Sequence, residues 1–206
     1  MTADASLRPG APIRTSVTDP LRVDTLRVGA GTVGLTMCPG KSGPSASVHV
    51  WRRDLAADLE VIRAWAPAAV VTLVETHELR GLCGVPDLGE RIRAAGLAWH
   101  HLPIVDLHAP DAAFVATWRA GVGAALGALL RSGERVLVHC RGGVGRAGTV
   151  AAMLAIDAGR SPADAIEAVR RARRGAIETP AQQRFVMRWT PTTAPAMGVP
   201  TRQSAA

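Results

Sequence analysis

A cysteine and an arginine six positions apart, with three glycines between them, are the residues of this sequence best suited to chemistry. Cys140 follows an apolar run at 136–138, and Arg146 lies beyond the glycine-rich segment 141–145. Glycines let successive backbone N–H groups turn inward around an anion. Arginine adds a planar, two-pronged donor. The spacing therefore predicts a loop that binds a tetrahedral phosphate dianion. Its expected binding residues are His139, Arg141, Gly142, Gly143, Val144 and Gly145.

The same loop favours a reactive sulfur at Cys140. A helix that begins near Arg146 points the positive end of its dipole at the loop, and such surroundings stabilise a thiolate. A thiolate that faces a bound phosphoryl group is a nucleophile for covalent phosphoryl transfer. Arg146 and the loop amides would stabilise the charge that develops on the phosphoryl oxygens. The purely structural alternative is an inert cysteine at a strand end, where glycines only turn the chain.

Alternating strand and helix patterns surround this loop and must position it. The segments 21–28 and 32–36 flank glycines and suggest an irregular hairpin. Strand–helix alternation further along predicts an α/β fold, with a mostly parallel central sheet flanked by helices on both faces. The strand predictions cover 69–74, 97–102 and 135–139, and the helix predictions cover 54–66, 87–95, 111–131 and 146–158. A further helix is expected after Ser161, with serine as N-cap and proline at its first position.

The chain length suits a single domain with loose ends. The sequence has 206 residues, and its 48% hydrophobic content excludes a largely disordered protein. Both ends are rich in Pro, Thr and Ser and lack periodicity. We therefore expect a loose N-terminal leader at 1–20, a folded domain at 21–190 and a flexible C-terminal tail at 191–206.

Charge and cysteine content restrict the partners and the location. There are 24 Lys and Arg against 17 Asp and Glu, a formal net charge of +7, which suits anionic partners without selecting one. Three cysteines form no disulfide framework, and residues 1–10 lack the apolar segment of a signal peptide. The longest apolar run, 120–130, is eleven residues, too short to span a bilayer. We expect a cytoplasmic protein with no membrane partner.

With these elements in order, the sequence resembles the cysteine-dependent protein tyrosine and dual-specificity phosphatases. The segment His139-Cys140-x5-Arg146 is similar to their signature loop. The resemblance is strongest to the kinase-associated (cyclin-dependent kinase inhibitor 3-like) phosphatases and their bacterial relatives, and it extends from about Gly34 to about Phe185. The supporting segments are 34–40, 54–65, 78–79, 85–88, 100–106 and 175–179.

The resemblance implies roles for residues outside the loop. Asp106 would be the general acid, which the chemistry requires because an alkoxide or phenolate leaves poorly unless it is protonated. Asp111 is the competing candidate, and its position after a proline favours a helix N-cap. Gln182 would position the hydrolytic water, with Gln183 beside it as an alternative. His139 would brace the loop. The resemblance implies no cofactor and no metal.

One position departs from the family pattern. At Ala147 the family most often carries Ser or Thr, whose hydroxyl supports the departing thiolate when the phosphoenzyme is hydrolysed. Alanine cannot donate that hydrogen bond, so we expect a slow second step and accumulation of cysteinyl phosphate. Whether Thr149 substitutes is open, because the sequence does not place its hydroxyl.

The predicted function is a metal-independent protein phosphatase that acts on phosphotyrosine, with phosphoserine and phosphothreonine open, through a phosphocysteine. Its partners would be phosphorylated proteins or small phosphomonoesters. The alternatives are a phosphate-binding pseudophosphatase and a phosphatase of small non-protein phosphomonoesters. A nucleic-acid binder is disfavoured, because the arginine run at 170–174 has no interleaved aromatic residues to stack on bases. Oligomeric state and physiological substrate are not readable from the sequence.

Overall fold

A five-stranded, mostly parallel sheet forms the centre of the molecule. The computed structural model describes residues 11–44 and 49–191. The strands are β1 (Ile13–Thr15), β2 (Asp24–Val28), β3 (Gly31–Met37), β4 (Ser42–Pro44), β5 (Val50–Arg52), β6 (Ala69–Thr72), β7 (Ala98–His101) and β8 (Arg135–Cys140). The central sheet has the order β2-β3-β8-β6-β7, in which only the β2–β3 hairpin is antiparallel. The predicted hairpin and the predicted parallel strands are confirmed.

Helices cover both faces of this sheet, as predicted. The helices are α1 (Leu55–Trp65), α2 (Thr76–Gly81), α3 (Leu88–Ala94), α4 (Ala112–Thr117), α5 (Gly123–Arg131), α6 (Gly145–Asp157), α7 (Pro162–Ala172) and α8 (Pro180–Met187). One buried apolar cluster joins one sheet face to α4–α8, and a second joins the other face to α1–α3. The predicted α/β fold, with a mostly parallel sheet between two layers of helices, is thus observed.

Strand β8 lies at the middle of the sheet and delivers the functional loop. It pairs in parallel with β3 on one side and with β6 on the other. Its side chains alternate between the two clusters: Val136 and Val138 enter the α4–α8 cluster, whereas Leu137 enters the α1–α3 cluster. A strand buried on both faces reads as the continuous apolar run seen in the sequence. Its carboxyl end, where Cys140 lies, is the edge at which parallel sheets place ligands.

The predicted helix at 111–131 is interrupted. A π-helical turn at Trp118–Val122 separates α4 from α5, and Gly121 there has a φ of +146°. The Trp118 indole packs so closely on Gly123 that a Cβ at that position would lie 2.3 Å from its Nε1. By length and composition the whole segment Ala112–Arg131 could cross a membrane, with a mean hydropathy of 1.5. Its Phe114, Trp118, Leu126 and Leu130 nevertheless belong to the α4–α8 cluster.

The prediction of a loose leader is wrong where the structure describes it. β1 pairs in parallel with β5, and β4 completes a small second sheet of order β1-β5-β4. Arg53, next to β5, forms a buried ion pair with Asp58. The Ser16 hydroxyl, next to β1, donates to the same Asp58 carboxylate at 2.8 Å, so this carboxylate links both strands to α1. Residues 1–10, and the tail apart from residue 191, lie outside the described residues. The domain boundaries at 21 and 190 therefore stay predictions.

Candidate active site

Residues 140–146, the phosphate loop, connect β8 to α6 in the form that the sequence predicts. Gly143 has a φ of +72°, and its N–H donates to the Cys140 Sγ at 3.1 Å. A Cβ on Gly143 would lie 2.4 Å from the Thr36 carbonyl oxygen, so a side chain does not fit. The loop therefore needs glycine for both its backbone conformation and its close approach to β3. The Gly143 N–H thus also supplies the sulfur with a hydrogen-bond donor.

Cys140 is 3% exposed, yet it lines a cavity of about 100 Å³. The cavity-lining residues are Asp106, Leu107, Cys140, Gly142, Val144, Gly145, Arg146, Glu178 and Gln182. All four predicted catalytic residues are thus brought together around one small space. Three of the predicted phosphate-binding residues, Gly142, Val144 and Gly145, line it as well. Gly143 does not line the cavity, but its N–H donates to the Cys140 sulfur.

Arg146 is held at the cavity by a carboxylate that the sequence did not pair with it. Its Nη1 lies 2.5 Å from Oε2 of Glu78, and its Nη2 lies 3.0 Å from Oε1. Nη1 also donates to the Ile104 carbonyl at 2.9 Å. Both side chains of the Arg146–Glu78 pair are 1% exposed. This fork-to-fork geometry fixes the plane of the guanidinium before any ligand arrives.

The charges of this pair reinforce each other. Burial alone would lower the pKa of Arg146, but the hydrogen bond with Glu78 and the charges of Cys140, Glu78 and Asp106 outweigh it and raise that pKa. Burial alone would raise the pKa of Glu78, but the hydrogen bonds from Arg146 and from the Glu75 N–H lower it overall. The pair therefore stays ionised at neutral pH. Removing either partner would leave a buried charge alone.

Asp106 lies on the acid loop, residues 103–111, and its carboxylate reaches the cavity from the solvent side. It is 45% exposed, and its Oδ1 lies 2.9 Å from Nη2 of Arg146. Its Oδ2 lies 3.7 Å from Nη1 of Arg141. The carboxylate thus competes with any anionic ligand for the same guanidinium. Asp111, the competing candidate for the acid, accepts the Phe114 N–H at 2.8 Å as the N-cap of α4, which is its preferred sequence-based role.

Gln182 is buried beside the cavity, and its amide ties two loops together. Its Oε1 accepts the N–H groups of Glu178 and Thr179 at 2.9 and 3.2 Å. Its Nε2 donates to the His108 carbonyl of the acid loop at 3.1 Å. Gln183 instead accepts from exposed Arg170. The structure therefore distinguishes the two glutamines, placing Gln182 at the cavity, where its amide also clamps the acid loop.

Besides Gly143, two of the predicted phosphate-binding residues, His139 and Arg141, do not line the cavity. His139 is fully buried behind the loop, with its Nε2 2.7 Å from the Thr72 hydroxyl, which accepts the Trp99 indole N–H at 2.8 Å. Burial lowers the pKa of His139 to about 3, so the ring is neutral and braces β8 against β6. Arg141 points its guanidinium at Asp106.

Three charged residues at the site were missed by sequence reasoning as functional groups. Glu78 lies on α2, a helix that the sequence analysis did not predict. The capping box that Glu75 and Glu78 form was the available sequence signal for the start of this helix. Glu178 lines the cavity on the side of α8. Lys41, the only lysine, is 5% exposed and donates to the Arg141 carbonyl at 3.4 Å. Burial, helped by Arg141, lowers the pKa of Lys41.

The structure shows that no hydroxyl replaces the one that the family most often carries at position 147. Ala147 is fully buried in the first turn of α6. The Thr149 hydroxyl donates to the Gly145 carbonyl at 2.9 Å and is buried there. That hydroxyl is therefore occupied by its own helix and does not replace the missing one. Within residues 11–44 and 49–191, no group of three or more His, Cys, Asp or Glu side chains could hold a metal ion.

Comparisons with known proteins show that this chain is similar to phosphatases. A family model described as "PTP-SAK: Swiss Army Knife protein, DSP-PTPase phosphatase domain" matches residues 59–186. Cyclin-dependent kinase inhibitor 3 of Rattus norvegicus is 31% identical over 138 residues, which is 66% of this chain and 63% of that protein. A probable protein tyrosine phosphatase type IVA A of Dictyostelium discoideum is 34% identical over 88 residues, 43% of this chain and 52% of that protein.

A solved structure of kinase associated phosphatase, with its catalytic-site cysteine substituted by serine, superposes with a TM-score of 0.69. It is 27% identical and covers 81% of this chain and 92% of its own. The chain spans less than two thirds of the length of the curated relatives that it matches. The family model covers more than half of this chain and includes both Cys140 and Arg146. The chain therefore belongs to the cysteine-based dual-specificity and protein tyrosine phosphatase family.

Proposed function

We propose that this protein hydrolyses phosphomonoesters of phosphorylated proteins through a phosphocysteine at Cys140, without a metal. One observation carries the proposal: a sulfur that accepts a backbone N–H and a guanidinium in a fixed orientation line the same small cavity. The positive charge that a metal supplies elsewhere would come here from Arg146 and the loop amides.

In the first step, the Cys140 thiolate attacks phosphorus and the bond to the leaving oxygen breaks. The phosphoryl oxygens bind Arg146, so the carboxyl of Asp106 leaves that guanidinium and turns to the leaving group. In its protonated form Asp106 donates its proton to the leaving oxygen, which departs as a neutral alcohol or phenol. Glu78 keeps the guanidinium in place throughout, because both of its carboxylate oxygens bind Arg146, one at Nη1 and one at Nη2.

In the second step, water attacks the phosphocysteine and the sulfur–phosphorus bond breaks. Asp106, now ionised, accepts a proton from that water, and inorganic phosphate and the thiolate are released. Gln182, which lines the cavity, would position that water. Because Ala147 offers no hydroxyl to the departing sulfur, this step is the slow one and the phosphoenzyme accumulates.

The proposed substrates are phosphoproteins, with phosphotyrosine first. The support comes from the relatives, two of which carry the names of a protein tyrosine phosphatase and of a kinase associated phosphatase. The same loop would also accept phosphoserine or phosphothreonine if the phosphate reaches the sulfur. A cytoplasmic location is part of the proposal.

Ala147 favours one second candidate, a phosphate-binding pseudophosphatase. The Asp106–Arg146 contact keeps the guanidinium occupied, and the missing hydroxyl slows turnover. Such a protein would bind phosphorylated ligands and release little phosphate. Small non-protein phosphomonoesters are distinguished from proteins by the substrate panel below.

Turnover of p-nitrophenyl phosphate in EDTA tests the proposal. The wild type should release phosphate, and Cys140→Ser should release none while still binding phosphate. Cys83→Ser is the matched control, because Cys83 is buried but does not line the cavity. A panel of phosphotyrosine, phosphoserine and phosphothreonine peptides and small phosphates then ranks the substrates. Equal activity in wild type and Cys140→Ser would refute the sulfur nucleophile, and binding without turnover would support the pseudophosphatase.

A further inference from the structure

A second and larger cavity, the N-terminal pocket, adjoins the phosphate loop. Its volume is about 540 Å³, and the Val144 side chain lines both it and the Cys140 cavity. Small-ligand sites in proteins commonly occupy about 300–1,000 Å³. One residue of the phosphate loop thus borders both spaces, so the two cavities are neighbours.

The walls of this pocket are strongly basic. Two aspartates, Asp19 and Asp24, line it against six arginines. The arginines are Arg14, Arg22, Arg53, Arg171, Arg173 and Arg174. The excess of positive charge in this open pocket attracts anions, because field lines concentrate in a concave site.

Arg22 and Arg174 remain available to a ligand, whereas Arg14 is paired with Asp19 and Arg171 with Glu167. Arg53 is committed to buried Asp58, but Arg22 is 85% exposed and shares the Asp24 carboxylate with Arg173. Arg174 is exposed, and among the described residues it forms no ion pair. Because Arg22 and Arg173 share one carboxylate and Arg174 has none, N–H donors of these side chains are left for an anionic group.

Arg173 fastens the pocket to the catalytic loop. Its Nη1 lies 2.7 Å from Oδ2 of Asp24, and its Nη2 donates to the Gly142 carbonyl at 3.0 Å. The side chain is 15% exposed. The two cavities therefore have a fixed relative position, as a two-part binding site requires.

Much of the pocket comes from residues that the family model does not match. Arg14 and Arg53 come from the segment around the small sheet, before residue 59. Trp51 of β5 lies under this wall, with the Arg14 and Arg53 guanidinium carbons 5.9 and 5.4 Å from its ring centre. The pocket is thus formed by this chain's own N-terminal segment together with the basic end of α7.

We propose that the N-terminal pocket binds a second negatively charged group of the phosphopeptide whose phosphate occupies the Cys140 cavity. This inference rests on the proposed function and specifies its substrate class, namely phosphopeptides with an acidic or phosphorylated residue close to the scissile phosphate. An extended peptide advances about 3.3 Å per residue, so a residue a few positions away reaches a neighbouring cavity.

Matched peptides test the inference. Each carries one phosphotyrosine, with alanine flanks or with a single Asp or phosphoserine at one to four positions on either side. At one of these positions the wild type should show a kcat/KM about tenfold higher than with alanine, as expected for one charge-assisted hydrogen bond. The gain should appear in KM and should shrink in 500 mM NaCl.

The double variant Arg22→Ala/Arg174→Ala should lose this preference and keep its rate on p-nitrophenyl phosphate. The control Arg91→Ala/Arg131→Ala removes the same charge outside the pocket and should keep the preference. Equal kcat/KM for neutral and acidic peptides in the wild type overturns the inference. So does a double variant that loses binding to phosphoinositide vesicles but not to acidic peptides, because that result assigns the pocket to a membrane surface.

Binding separates a failure of the inference from a failure of the proposed function. In Cys140→Ser, fluorescence anisotropy measures peptide affinity with no turnover. Acidic peptides should bind about tenfold more tightly than neutral ones, and Arg22→Ala/Arg174→Ala should remove the difference. A protein without hydrolytic activity that still shows this preference refutes only the enzyme, whereas an active enzyme without the preference refutes only the pocket.

Discussion

The phosphate loop and the acid loop meet at the same cavity but are held in different ways. Arg146 of the phosphate loop is 1% exposed and bonded to Glu78 and to a backbone carbonyl. Asp106 of the acid loop is 45% exposed, and the adjacent Leu107 has a φ of +61°. The anion-binding half is thus built before the ligand arrives, whereas the proton donor must leave its resting contact with Arg146. We infer that binding depends mainly on the first loop and leaving-group chemistry mainly on the second.

Removing the guanidinium should damage the preorganised half most. Arg146→Ala should lower kcat/KM on p-nitrophenyl phosphate by about 10³-fold or more and weaken phosphate binding, because charge on the phosphoryl oxygens loses its bidentate donor. Steady-state kinetics and phosphate titration of Cys140→Ser/Arg146→Ala measure the two effects. Exposed Arg184→Ala should change neither, and strong phosphate binding without Arg146 would contradict the assignment.

Changing the acid should damage chemistry while sparing binding. Asp106→Asn should lower kcat by about 10²-fold on phosphotyrosine and less on p-nitrophenyl phosphate, whose leaving group needs a proton less. Phosphate should bind at least as tightly, because the competing carboxylate charge is gone. Asp111→Asn is the control, since asparagine also caps helices. A larger loss in Asp111→Asn than in Asp106→Asn would reverse the two roles.

Glu78 tests whether the guanidinium needs its buried partner. Glu78→Gln keeps the side-chain shape but removes the charge, and kcat/KM should fall about tenfold as Arg146 loses its fixed orientation. Breaking a buried ion pair also costs about 3–5 kcal/mol in the free energy of unfolding. Urea unfolding and kinetics on the folded fraction separate the effects, with Glu75→Gln on the same helix as control. Unchanged kinetics in Glu78→Gln would show that Ile104 and the loop suffice.

The histidine behind the phosphate loop should make stability depend on pH. The unfolded chain has an ordinary histidine pKa of 6.5, whereas the pKa of His139 in the folded protein is about 3. Between these values the unfolded state binds a proton that the folded state does not, so the free energy of unfolding should fall by several kcal/mol as pH drops from 6.5 towards 3. The lowered pKa of Glu78 adds a loss of the same sign, below its ordinary value of 4.5.

Urea unfolding at a series of pH values measures this dependence. His139→Asn should flatten it, while His77→Gln should not, because the His77 side chain is 71% exposed. A wild-type curve that stays flat between pH 6.5 and 4 would be incompatible with a neutral, buried ring.

The smallest expected effect concerns the departing sulfur. Ala147→Ser supplies a hydroxyl near the loop and should speed phosphoenzyme hydrolysis severalfold, with a smaller burst in rapid-quench kinetics. Ala151→Ser, one turn further along α6, controls for the added hydroxyl. A wild type without any burst would show that the second step is not slow.

The sequence predicted the elements marked by local signals better than those that depend on contacts with distant segments. β8, α6 and the caps at Ser161 and Asp111 agreed with prediction, because each signal lies within a few residues of the element it marks. The helix at 111–131 was predicted as continuous, because periodicity does not reveal a π-helical turn that accommodates Trp118 against Gly123. β1 was missed because its three residues form a strand by pairing with β5, thirty-seven positions away.

The sequence by itself determined the phosphate loop, because Cys140, the turning glycines and Arg146 lie within seven consecutive residues and their geometry follows from local backbone rules. Only the tertiary structure decided what that loop meets. It paired Arg146 with Glu78, sixty-eight positions away, and placed Gln182 rather than Gln183 at the cavity. It also directed the Thr149 hydroxyl to the Gly145 carbonyl of the same helix. It placed the N-terminal arginines in the pocket that Val144 lines. Such contacts depend on the direction of side chains on separately folded segments, which becomes fixed only when those segments pack against one another.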